Sequence, residues 1–177
     1  MSSVRVEKQE FGLREKLTEL DYGKLPYHKM PMGTILQVRQ SLSTTNTTIS
    51  SSSYTNLREL LIHPISRNSL MYVRTHCQPR CFVTENNRAR FLNRIVRQDF
   101  DTNQETTLLD NNETPQWRNA DFHTSTEICG GSVINEFCDW HRQIKPILYK
   151  YQVARHDSAN FDMGGHQYTI QVMEIMQ

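Results

Sequence analysis

The stretch ILYKYQVARHDSANFDMGGHQYTIQVMEI, residues 147–175, decides the fold class. In its first half Ile147, Tyr149, Tyr151 and Val153 alternate with Leu148, Lys150, Gln152 and Ala154. That two-residue period is the mark of a half-buried β-strand, whose successive side chains point to opposite faces. The second half, from Tyr168 to Ile175, begins the same way, with Ile170 and Val172 on one face. Met173 and Ile175 then make the other face apolar as well. A strand apolar on both faces is normally covered on both, and in a chain this small the second cover is expected from another subunit. Gly164-Gly165 lies between the halves, with backbone chemistry suited to positive φ in a turn. The expectation is two long strands, antiparallel neighbours in the interior of one sheet.

Upstream the same strand signals recur. Thr34–Arg39, Leu57–Ile65, Leu70–Thr75, Phe82–Thr84 and Phe91–Val96 read as short strands, with turns at Ser66–Ser69 and at Gln78-Pro79-Arg80. Residues 41–56 are almost all Ser, Thr and Asn, a polar edge strand or arm. HTSTEIC and SVINEFCDW flank Gly130-Gly131, the pattern of a β-hairpin with a two-residue turn. Residues 98–121 carry no period, so a long exposed loop is expected there. Regularly spaced short strands with turns between them give an all-β fold, an antiparallel β-sandwich or a closed barrel.

The N-terminal residues read differently. Phe11–Gly23 (FGLREKLTELDYG) predicts one short helix, with Leu13, Leu17 and Leu20 on one stripe and Phe11 beside it. Such a helix is marginal alone in water, so its leucines need a surface to pack on. Pro26 and Pro31 then favour an extended connection. The leucines either pack on their own domain or dock on another protein; the proline-containing break favours the second, so residues 1–32 are read as an anchor and linker and residues 33–177 as the β-domain.

Composition bounds the function classes. Lys and Arg (20) nearly cancel Asp and Glu (19), which argues against a nucleic-acid coat held by many phosphate contacts. No window approaches the run of about 20 apolar residues that spans a membrane. The opening MSSVRVEKQE has no apolar signal region. Cys77, Cys81, Cys129 and Cys138 then read as structural thiols. With His76 and His141 they can be written as a zinc set, but their spacings lack a C-x2-C pair; no metal and no cofactor is expected. Cys77 and Cys81 can face each other across a three-residue turn as a potential disulfide. Asp139 with His141, or His156 with Asp157, can be drawn as parts of a triad, yet no G-x-S-x-G elbow marks a serine. No catalytic residue is assigned. Arg80, Arg88, Arg90, Arg94 and Arg97 cluster in sequence, and read as a charged strand face.

The order PMGTILQVRQ, YTNLRELLIHPISRNSLMYVRT, then ILYKYQV … YTIQVMEIM resembles small all-β proteins of tailed bacteriophages. Those begin G-S/T-I/V-L-Q-V and end T-Y-K-V-Q-V … I-T-V-M-E-I. The resemblance spans residues 31–177 and is sharp at the two ends; the middle departs at Arg58-Glu59-Leu60-Leu61 and in the Asn-rich segment near residue 110. It implies a jelly-roll-like virion component of the fibre, fibre-tip or decoration type, commonly trimeric. The expected function is thus a non-enzymatic virion structural protein, made in the host cytoplasm. Phe11, Leu13, Leu17 and Leu20 are its expected contacts with another virion protein, and Met173 and Ile175 its contacts with copies of itself. A host receptor remains a further candidate partner; nucleic acid and membrane insertion are not expected. Two rivals stand beside this reading. A glycan-binding or glycan-hydrolysing domain would use Trp117 and Trp140, and a self-assembling jelly-roll capsid protein would carry nucleic acid.

Overall fold

The computed structural model describes residues 30–83, 88–111, 116–118, 127–141, 144–156, 161–162 and 167–177. The expected helix with Phe11, Leu13, Leu17 and Leu20, and the turn at Gly164-Gly165, lie outside the described residues. The described chain is all-β. Its strands are β1 (Ile35–Ser43), β2 (Thr48–Ile49), β3 (Thr55–Ile62), β4 (Ser69–Cys77), β5 (Arg80–Val83), β6 (Arg88–Asp99) and β7 (Glu105–Asn111). β8 (Gln116–Arg118), β9 (Glu127–Gly130), β10 (Val133–His141), β11 (Ile147–Arg155), β12 (Phe161–Asp162) and β13 (Tyr168–Met176) follow.

Two antiparallel sheets face each other as a β-sandwich. The first has the order β1-β13-β4-β10, the second β3-β11-β6-β7 with β8 added to β6. A third, small sheet, β2-β12-β5-β9, continues beyond them. The alternation read in the sequence explains the layers. On β4, Met71, Val73, Thr75 and Cys77 are buried while the residues between them are not. On β13, Tyr168, Ile170, Val172 and Glu174 are the buried set. Ile147, Tyr149, Tyr151 and Val153 of β11 meet them from the second sheet, and these residues form one core with Phe91, Ile95 and Ile62.

Four sequence expectations change here. The last two long strands are not neighbours: β13 runs between β1 and β4, and β11 between β3 and β6. Each is central, but in a different sheet, because a sandwich core is shared between two facing layers. Gly130-Gly131 is not a hairpin turn. β9 pairs with β5, and β10 pairs with β4. Gln78-Pro79 likewise does not reverse the chain. The two paired strands bend together at Pro79 and Gly130-Gly131, where Gly131 N–H donates to the Pro79 carbonyl at 3.4 Å. Proline cannot donate to a ladder and glycine tolerates a sharp bend, so both suit a place where strands change sheet. Finally, residues 105–111 are strand β7, paired with β6. Its connection is tight: Asn103 adopts φ 57°, a left-handed conformation asparagine tolerates.

The chain enters the first sheet just after Gly33, whose φ of +85° suits a residue without Cβ. Gly33 N–H donates to the Met176 carbonyl at 2.8 Å. Beside it, the fully buried Glu174 organises the β3–β4 connection. Its carboxylate accepts from Ile65 N–H (2.8 Å), Ser66 N–H (2.9 Å), Ser69 Oγ–H (2.7 Å) and Gln37 Nε2–H (2.6 Å). A buried charge is tolerable when hydrogen bonds replace its water.

Glu174→Ala would leave the buried Ser66 N–H and Ser69 hydroxyl, and the half-buried Ile65 N–H, without this acceptor. We expect a loss of about 3–5 kcal/mol of unfolding free energy in urea. Glu174→Gln, which keeps one acceptor oxygen, is expected to lose less; equal losses would show that the carboxylate does not hold the loop.

A candidate assembly surface

Sheet geometry places directly opposite residues of neighbouring strands on one face. Since Met71, Val73, Thr75 and Cys77 face the core, Leu70, Tyr72, Arg74 and His76 lie on the outer face of the first sheet. The ladders extend each of these into a row. Ile35, Ile175, Leu70 and Trp140 form the first row across all strands of the sheet. Val38, Met173, Tyr72 and Cys138 form the second. The third, Gln40, Gln171, Arg74 and Glu136, is polar, and the fourth mixes Leu42, Thr169, His76 and Ile134.

The first two rows are continuous apolar surface. Ile35 is 53% exposed, Val38 49% and Trp140 61%, so the described chain leaves these rows open at both edges of the sheet. Leu70, Tyr72, Met173 and Ile175 are half-buried by their neighbours. A contiguous exposed apolar patch of this kind marks an interaction site more often than isolated exposed residues do. Charge on the face is internally balanced, because Arg74 Nε and Glu136 Oε1 pair at 3.5 Å. A hydrogen bond to Glu136 also raises the Tyr72 phenol above its ordinary value.

The outer face of the second sheet is built in the opposite way. Its row Asn56, Gln152, Arg94 and Asp110 is hydrogen-bonded along its length. Gln152 Nε2 donates to Asn56 Oδ1 at 2.7 Å, and Arg94 Nε donates to Gln152 Oε1 at 2.7 Å. Arg94 lies 4.0 Å from the ring centre of Tyr54, whose hydroxyl donates to Asp110 Oδ1 at 2.9 Å. Burial and this hydrogen bond push the Tyr54 phenol up to about 12. Lys150 Nζ reaches Glu105 Oε1 at 2.6 Å on the same side. These side chains satisfy one another.

Met173 and Ile175, the residues expected to meet another copy, thus sit on β13 near the centre of the apolar rows. The other candidates do not converge. Cys77 faces the core, with Sγ 3.0 Å from the Tyr151 hydroxyl. His76 and Cys138 lie on the outer face but two rows apart, separated by Arg74 and Glu136. Cys81 and Cys129 belong to the small sheet. Among the described residues no three His, Cys, Asp or Glu side chains come together as metal ligands. Asp139 is buried and occupied: it accepts from Tyr149 Oη–H and Arg97 Nη1–H, each at 2.7 Å. His156 Nδ1 lies 2.6 Å from Arg90 Nη2. The arginines split between faces, Arg97 inward and Arg94 outward. The side chains of Trp117 and His141 lie outside the described residues. Sequence reading missed Ile35, Val38, Leu70, Tyr72, Cys138 and Trp140. The run Leu70-Met71-Tyr72-Val73, apolar at every position, carried the signal that this strand too has two apolar faces.

Comparisons with protein-family models and with curated proteins find no match for the chain.

The two faces of β13 predict opposite outcomes for the same charge. Val172→Asp puts a carboxylate in the core and should abolish the folded state, seen as loss of the β-sheet circular dichroism spectrum. Ile175→Asp, on the outer face, should leave that spectrum intact. If both variants unfold alike, the face assignment is wrong.

Proposed function

We propose that this chain is a non-enzymatic structural subunit that assembles with copies of itself through the outer face of the first sheet. Within a bacteriophage particle it would serve as a tail-fibre, fibre-tip or decoration component. The observation that carries the assembly reading is the pair of apolar rows, Ile35–Ile175–Leu70–Trp140 and Val38–Met173–Tyr72–Cys138. The phage setting and the jelly-roll-like strand arrangement rest on the resemblance at the two ends of the β-domain. Self-association is favoured by the neutrality of the face: its Arg74 and Glu136 pair with each other, so two copies can approach without like-charge repulsion. Covering the exposed part of an aliphatic or aromatic side chain is worth about 1–2 kcal/mol, and several such side chains per copy are available. Three copies around an axis near β13 make the proposed homotrimer.

The proposal gives residues 1–32 the second role. The stripe Phe11, Leu13, Leu17 and Leu20 docks on another virion protein, and Pro26 and Pro31 space it from the β-domain.

Light scattering of the full chain tests the first part. A trimer is expected, dissociated to a folded monomer by Ile175→Asp or Val38→Asp; a monomeric wild type at all concentrations would end the assembly reading. Removing residues 1–32 tests the second. The β-domain should stay folded with a nearly unchanged melting temperature yet no longer join the particle, whereas unfolding would place that segment in the core. Binding on a glycan array, or nucleic acid that co-purifies and is released at high salt, would support the two rival readings instead.

A further inference from the structure

The small sheet brings together two cysteines far apart in sequence. Cys81 of β5 and Cys129 of β9 are directly opposite in an antiparallel ladder. Opposite residues of such a ladder share a face and lie about 4.5–5.5 Å apart at Cα. A disulfide spans Cα separations of roughly 4.4–6.8 Å, so both kinds of ladder position fall within its reach. We propose that Cys81 and Cys129 are an oxidation site, a dithiol that closes to a cross-strand disulfide by exchange with a low-molecular-weight disulfide.

The exchange balances. One cysteine thiolate attacks a sulfur of the small disulfide, forming a mixed disulfide and expelling one small thiolate. The second cysteine thiolate then attacks the protein sulfur of that mixed disulfide and expels the other. The protein loses two electrons and two protons. The small disulfide is reduced to two thiols, which take up those protons.

The other cysteines are poor competitors. Cys77 is fully buried, beside the Tyr151 hydroxyl and opposite Val133. Burial pushes its thiol up to about 12, so little attacking thiolate forms at neutral pH. The proposed bond thus gives Cys81 a different partner from Cys77, the one a three-residue turn would have offered. Cys138 is exposed, but its opposite neighbour is Tyr72.

The place of the pair gives the bond a consequence. β4–β5 and β9–β10 run side by side out of the first sheet, through the bend at Pro79 and Gly130-Gly131. The remaining strands of the small sheet, β2 and β12, are two residues each. A covalent link beyond the bend would tie the two long strands where the ladder is shortest. It would also close a long loop, since 129 − 81 separates the cysteines by 48 positions, and closing such a loop restricts the unfolded chain.

The full chain, reduced and then treated with oxidised glutathione, tests this by intact mass and non-reducing peptide mapping. The expected product has lost two hydrogens, with Cys81 linked to Cys129. Its thermal midpoint should rise by about 5 °C or more and return on adding dithiothreitol. The mapping needs no variant, so it stands even if a cysteine substitution fails to fold. Cys129→Ser should leave a glutathione adduct on Cys81 instead of a bridge. Wild-type protein that maps to Cys77–Cys81, links through Cys138, or keeps both Cys81 and Cys129 free to alkylate would overturn the proposal.

Discussion

Polar side chains on the inner face of β10 hold the two layers of this protein in one relative position. Asn135 and Asp139 are buried, and both reach partners in the opposite sheet, Asn135 with a further bond inside its own. Asn135 Nδ2 donates to Asn93 Oδ1 of β6 at 2.8 Å and to Thr75 Oγ1 of β4 at 3.0 Å. Its own Oδ1 accepts from Asn111 of β7. Asp139 receives Tyr149 of β11 and Arg97 of β6. Apolar interdigitation alone tolerates small shifts between layers, but an orphaned buried polar group costs about 1–3 kcal/mol. Sliding one sheet over the other would orphan several at once. The network therefore specifies the packing as much as it stabilises it.

The same logic carries to the tyrosines beneath it. Tyr149 and Tyr151 are fully buried, and burial raises both phenols well above the model-compound value of 10.0. The nearby Asp139 charge adds to this for Tyr149, and Cys77 for Tyr151. Folded-state values above the unfolded ones mean that this stabilisation is whole below about pH 9–10 and falls as pH rises beyond it. A large share of the aromatic core thus depends on phenols that must stay neutral. Their partners, Asp139 and Cys77, lie on the first sheet, so the ties run between layers.

With the layers fixed, the outer faces acquire different characters. The second sheet closes its surface with hydrogen bonds among Asn56, Gln152, Arg94, Tyr54 and Asp110. The first sheet leaves two apolar rows open, crossing all of its strands. Long polar side chains that bond to one another make a finished, wetted face, whereas aliphatic and aromatic rows gain only when water is displaced by a second surface. That asymmetry is the physical basis of the assembly we propose.

The alternation in residues 147–155 and 168–175 determined by itself that the chain is β, that Ile170 and Val172 are core, and that Met173 and Ile175 face away from it. Period-two patterning is local, so it survives without knowledge of neighbours. Pairing is not local, and tertiary structure decided it. Gly130-Gly131 carries the chemistry of a hairpin turn, yet serves as a bend because β9 and β10 each found a better partner in the β4–β5 strand. Residues 105–111 look like loop because β7 is an edge strand with little need of apolar periodicity. The role of Glu174 is not written in the sequence: it is a buried acceptor because the β3–β4 connection folds over it. The rows of the proposed assembly surface belong to this second class as well. Each strand contributes a residue or two that is unremarkable alone, and only the register of four strands sets them side by side.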